Sequence, residues 1–185
     1  MSQDITHYAG RFLNLLERDG WEFASRSNAT RVVMLVAVTN DAEILLVEQY
    51  RKPVSSAVIE LPAGLVGDHD NPEESVFDAA RRELEEETGY AAGRMKLLMA
   101  CPSSAGMSDE IVEFVLATDL QRVGPGGGDD SESIEVLRVP LVQAEDWLAR
   151  QLAASRLLDP RIYAALYWLR NSGHHGPPAG QASAS

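Results

Sequence analysis

The stretch AARRELEEETGY, residues 79–90, sets Glu83, Glu85, Glu86 and Glu87 beside Arg81 and Arg82. Like charges four apart on a helix repel one another, so a helix this dense in carboxylates needs a reason. At 100° per residue, Glu83 and Glu87 project from one face, Glu86 flanks it and Glu85 points towards solvent. Two arrangements satisfy that pattern. One is a solvated charged face; the other is a seat for a hard, oxygen-preferring cation such as Mg²⁺ or Mn²⁺.

The element that must position these residues is signed at both ends. Asn71 suits an N-cap, Pro72 the first helical position, and Glu74 the acid of a capping box. Gly89 is a natural stop. Val76, Phe77, Ala80 and Leu84 supply an apolar stripe at three- and four-residue steps, so a helix is expected from Pro72 to Thr88.

Strands surround it. Residues 11–26 read as two short strands about Asp19-Gly20, a strong hairpin signal. The apolar runs Val32 to Val38 and Ile44 to Val47 flank Asn40-Asp41 and predict a second hairpin. VIELPAG reads as a short strand ending at Pro62 and Gly64, followed by the polar loop LVGDHDN. Met95 to Met99, Ile111 to Ala117 and Ile134 to Val139 read as further strands, and Leu141 to Leu152 and Pro160 to Leu169 as helices. GPGGGDD, residues 124–130, is a flexible acidic loop. The expected organisation is N-terminal strands over 1–30, one domain over 31–171 and a disordered tail over 172–185. His174 and His175 fall in that low-complexity tail and not in a metal site.

Composition narrows the function classes. The 185 residues are 45 % hydrophobic, as in a globular chain of one domain. A formal charge of −12 argues against a protein that grips nucleic acid through its phosphates. A small anionic substrate remains compatible where local arginines or a bound cation invert the field. The single cysteine, Cys101, excludes an internal disulfide and reads as a packing residue. No apolar run is long enough to span a bilayer and the N-terminus lacks signal-peptide character, so a cytoplasmic protein without membrane contact is expected.

Arg82-Glu83-Leu84-Glu85-Glu86-Glu87-Thr88-Gly89-Tyr90, with Glu74 eight residues before Arg82, resembles the Nudix hydrolase signature. Nine residues separate Gly64 from Glu74 where that family has five, which places the extra residues in the LVGDHDN loop. The likeness extends over residues 10–170: WEFASR, VEQYRKPV, ELPAGL and PSSAGMSDE resemble the ADP-ribose and nucleoside-diphosphate-sugar pyrophosphatase branch. It implies an α/β fold, a Nudix α/β/α sandwich with mixed β-sheet, and an N-terminal hairpin used in forming a homodimer.

The resemblance also implies roles. Glu83 and Glu87 would ligate Mg²⁺ or Mn²⁺, with Glu86 a further ligand or a bridge through water. The Ala63 carbonyl would complete the coordination, and Arg82 would orient Glu83 or Glu86. Trp21 would stack on the nucleobase and Glu22 would bond its edge, while Arg26 and Arg51 would clamp phosphates. Glu132, or next Asp130, would be the general base, from a loop that also holds Asp129. The reaction would be hydrolysis of a diphosphate bond in ADP-ribose or another nucleotide sugar. Two alternatives stay open: a hydrolase of dinucleoside polyphosphates or damaged nucleotides, and a non-catalytic regulatory module of the same fold.

Overall fold

The computed structural model describes residues 4–29, 31–67, 71–128 and 133–171. Its first three strands, β1 (Ile5–Ala9), β2 (Leu13–Arg18) and β3 (Trp21–Arg26), form an antiparallel sheet in that order. The β2–β3 hairpin turns where expected: Asp19 and Gly20 take φ of 53° and 82°, the positive values a tight two-residue hairpin requires. β1 was not expected. All five of its residues are exposed, so no apolar alternation marks it in the sequence.

The next strands are β4 (Arg31–Ala37), β5 (Glu43–Arg51), β6 (Ser56–Glu60) and β7 (Ala63–Val66). They are followed by helix α1 (Val76–Glu83) and by β8 (Tyr90–Pro102), β9 (Ile111–Arg122) and β10 (Ile134–Pro140). Helix α2 (Ala144–Ala153), the short β11 (Leu157–Leu158) and helix α3 (Arg161–Asn171) complete the chain. Two mixed four-stranded sheets result, ordered β7-β4-β9-β8 and β10-β5-β6-β11. β4 runs parallel to β9, and β11 parallel to β6.

The expected second hairpin is corrected by this topology. The turn exists, with Ala42 N–H donating to the Thr39 carbonyl at 3.0 Å, but β4 and β5 enter different sheets. Both edges of β4 are already filled, by β7 and β9, and the only ladder contact across the turn is the Val38–Ile44 bridge. VIELPAG is likewise split between sheets. Pro62, with no N–H to donate, lies at the break between β6 and β7.

β4 alternates between two cores. Val32, Met34 and Val36 pack with residues of β5, β9, α2 and α3. Val33, Leu35 and Ala37 pack with Val76, Ala79, Ala80 and Leu84 of the α1 segment. Helices therefore cover opposite sides of the β4–β9 pair, which is the expected α/β/α layering. Among the described residues, no helix is long and apolar enough to cross a membrane.

The carboxylate helix differs from expectation at its start. Ser75 is the N-cap, its Oγ accepting from the Asp78 N–H at 3.2 Å, so α1 begins four residues later than Pro72. Glu74 caps nothing there, and Phe77 is exposed while Ala79 is buried. The final turn, Leu84–Thr88, widens into a π-turn and ends at Gly89, whose φ of 75° fits the expected stop.

Candidate active site

Arg82 organises the carboxylates. Its Nε and Nη2 donate to the two oxygens of Glu74 at 3.1 and 3.2 Å. Nη2 also reaches the Leu65 carbonyl at 3.1 Å, tying α1 to β7. Nη1 donates to Glu83 Oε1 at 2.6 Å and to Glu86 Oε2 at 3.3 Å. The hydrogen bonds with Glu74 raise the Arg82 pKa above its ordinary value and hold the Glu74 carboxyl below its own. Arg82 is therefore charged at any working pH and fixed from two directions.

Glu87 is buried, 3 % exposed, and its Oε2 accepts from the Ala63 N–H at 3.1 Å. Thus the Ala63 amide meets this carboxylate. Gly64, the next residue of β7, lies so close to Glu83 that a Cβ there would fall 1.8 Å from the carboxylate carbon. Glu86 stands at the rim, its side chain 54 % exposed. Three glutamates lining one cleft, with backbone pressed against Glu83 through a side-chain-free glycine, offer the hard oxygen donors that suit a divalent cation.

These glutamates form one wall of a cleft of about 390 Å³, and Arg26 and Arg51 stand among its other lining residues. A neighbouring compartment of about 500 Å³ shares Arg26, Arg51 and Ala63 and extends to Glu60, Glu110, Asp159 and Arg161. Each arginine is set by an acid. Arg51 Nε donates to Glu60 Oε2 at 2.7 Å and Arg26 Nε to Glu110 Oε2 at 2.5 Å. Arg161 Nε lies 2.9 Å from both oxygens of Asp159. Burial pushes the Glu60 carboxyl up, while the Arg51 charge and hydrogen bond oppose that shift.

The structure thus brings Arg26, Arg51, Ala63, Arg82, Glu83, Glu86 and Glu87 to one cleft. Trp21 and Glu22 do not line it in the same chain. Trp21 is 63 % exposed and its Nε1 donates to the Gly106 carbonyl at 3.3 Å. Glu22 lies in the outer sheet, where ligand atoms of His7, Glu17 and Glu22 fall within 4.8 Å of one another. Asp129, Asp130 and Glu132 lie outside the described residues. Sequence reasoning missed Glu60 and Glu110 as partners of the arginines. Their only signal was membership of ELPAGL and PSSAGMSDE, the stretches that carried the likeness.

An α/β/α sandwich with an Arg-organised glutamate helix beside a glycine strand defines a class: the NUDIX domain family matches residues 29–162, and the chain belongs to it. Among its relatives is the ADP-ribose pyrophosphatase of Bacillus subtilis (strain 168), 39 % identical over 75 % of this chain and 71 % of that one. The GDP-mannose pyrophosphatase of Klebsiella pneumoniae subsp. pneumoniae is 36 % identical over 92 % of this chain and 85 % of its own length. The methanol dehydrogenase activator of Bacillus methanolicus is 32 % identical over 75 % and 71 % of the two chains. A crystal structure of an ADP compounds hydrolase shares the fold, with a TM-score of 0.70 at 24 % identity over 94 % of this chain and 95 % of that one.

Proposed function

We propose that this Nudix pyrophosphohydrolase cleaves the diphosphate bond of a nucleoside diphosphate linked to a sugar, ADP-ribose or a relative such as GDP-mannose. The products would be a nucleoside monophosphate and a sugar phosphate. One observation carries this reading: Glu83, Glu86 and Glu87 share a single cleft with Arg26 and Arg51. The kinship with pyrophosphatases of both substrate types supports it.

Glu83, Glu87 and Glu86 hold the divalent cation, Mg²⁺ or Mn²⁺, and Arg82 keeps Glu83 and Glu86 oriented. When bound, such an ion supplies Lewis-acid neutralisation of the diphosphate charge. Arg26 and Arg51 orient phosphate oxygens, the task for which a planar guanidinium is suited. Phosphoryl transfer asks the protein mainly for positioning and charge neutralisation. The proton of the attacking water passes to a carboxylate, assigned to Glu132 with Asp130 as the alternative.

The site is shared in a homodimer. The outer sheet exposes Ile5, Tyr8, Leu13 and Trp21, with Phe12 in the β1–β2 turn, an apolar group that a second copy would cover. Trp21 and Glu22 of that copy then meet the nucleobase. The substrate is a small molecule in the cytoplasm; the formal charge of −12 supports no role on nucleic acid.

Release of nucleoside monophosphate from ADP-ribose, GDP-mannose and a dinucleoside polyphosphate, measured with and without Mg²⁺, tests the proposal. Cleavage of a nucleotide sugar only with the cation is expected. Failure on every nucleotide sugar would overturn it.

A further inference from the structure

The helix that carries the glutamates ends in a way that α1 alone does not determine. Its last carbonyls have no partner within the helix once the chain turns at Gly89. The Tyr90 N–H, which a continuing helix would direct to Glu86, donates instead to Thr88 Oγ1 at 3.3 Å. Partners come from a remote segment. Gly127 N–H donates to the Glu87 carbonyl at 2.8 Å and Gly128 N–H to the Glu86 carbonyl at 3.1 Å.

That segment can approach only because it lacks side chains. Gly126, Gly127 and Gly128 take φ of 69°, 109° and 80°, all in the region that disfavours other residues. A Cβ on Gly126 would lie 2.4 Å from the Thr88 carbonyl carbon and 2.8 Å from the Glu87 carbonyl oxygen. Backbone cannot yield there as a flexible side-chain tip would.

We infer that the Gly126–Gly128 strap is a positioning element for the cation site: by holding the Glu86 and Glu87 carbonyls it fixes the π-turn that aims their carboxylates. The inference rests on the proposed cation site and names a second, distant part of the chain on which that site depends. Two hydrogen bonds to successive peptide groups set the planes on both sides of the Glu87 Cα, and hence the direction of its side chain. The glycines of GPGGG, legible in the sequence only as a flexible loop, are here a fitted backbone contact.

Mn²⁺ titration of the full chain without substrate, followed by electron paramagnetic resonance, tests this. Gly126→Ala should weaken Mn²⁺ binding by about tenfold or more, the loss typical when an outer partner of a metal ligand is removed. Its bound-ion spectrum should also change. Gly124→Ala is the control, because a Cβ at Gly124 meets nothing within 4 Å. Should Gly126→Ala not fold, Gly127→Ala gives the same readout, since its nearest atom is Ile134 O at 3.7 Å and only φ is strained. Wild-type affinity and spectrum in the folded strap variant would overturn the inference, as would an equal loss in Gly124→Ala. Wild-type protein that binds no Mn²⁺ would instead overturn the cation site itself.

Discussion

Arg51 Nε donates to Glu60 Oε2 at 2.7 Å, and Glu60 is only 8 % exposed. An arginine read from sequence as a phosphate clamp is thus also the charge partner of a buried carboxylate. Arg51→Ala should lower kcat/KM and, by leaving Glu60 unpaired, cost roughly 1–3 kcal/mol of stability. Adding Glu60→Gln should recover much of the stability and none of the activity. Denaturant melts and initial rates separate the two effects; recovery of activity in the double variant would show that Arg51 never touched phosphate.

Glu87→Gln keeps the shape of the side chain and an oxygen for the Ala63 N–H, which Glu87 Oε2 accepts at 3.1 Å. Its thermal midpoint should stay near wild type. The lost charge should lower kcat by at least about a hundredfold, the scale of ~3 kcal/mol in the transition state. Near-normal turnover would remove Glu87 from the site.

Gly64→Ala tests the close approach to Glu83. Its added Cβ would lie 1.8 Å from the Glu83 carboxylate and 2.4 Å from Cγ, so the whole side chain, though no backbone, must swing aside. The protein should therefore keep its stability within about 1 kcal/mol while kcat/KM falls about tenfold or more, because a ligand has swung aside. Unfolding of Gly64→Ala, or activity equal to wild type, would contradict this account.

What was legible in the sequence follows from how local each signal is. The Asp19-Gly20 turn and the Gly89 stop depend on the φ of single residues and were read correctly. The start of α1 was misplaced because Asn71, Pro72 and Glu74 imitate a capping sequence. Glu74 is drawn away by Arg82 and the Gly67 N–H, and Ser75 takes the cap. That β4 and β5 part company depends on β9, whose first residue pairs with Arg31 from 80 positions later in the numbering. That Glu83, Glu86 and Glu87 line one cleft is legible because it follows from spacing along one helix. The Arg51–Glu60 and Arg26–Glu110 pairs were not, since they form between separate strands or a strand and a loop end.

The Glu74–Arg82 pair predicts a pH dependence. Its hydrogen bonds hold the folded Glu74 carboxyl below the ordinary glutamate value of about 4.3. The unfolded chain then binds more protons through this window, so the contribution is complete above about 4.3 and is lost as pH falls through the folded value. The gap in thermal midpoint between wild type and Glu74→Gln should be full at neutral pH and should shrink in acid. A gap that stays constant from neutral pH down to about 3 would show that the pair is not what stabilises.

The proposed shared-site dimer predicts complementation. Trp21→Ala and Glu87→Gln chains, each inactive alone, should regain activity when unfolded and refolded together. In a mixed dimer one site would receive both defects and the other neither. Sedimentation and a nucleotide-sugar assay decide the matter. An active monomer, or mixed dimers without activity, would return Trp21 to a role confined to its contact with the Gly106 carbonyl.

A single strand feeding two cores has an evolutionary consequence. Because Val32, Met34 and Val36 face one core and Val33, Leu35 and Ala37 the other, deleting one residue from β4 would exchange the two sets at a stroke. Met34 would be offered to the tight space beside Ala79 and Ala80, and small Ala37 to the opposite layer. Changes of length are therefore expected in the loops that border β4 and not within the strand itself.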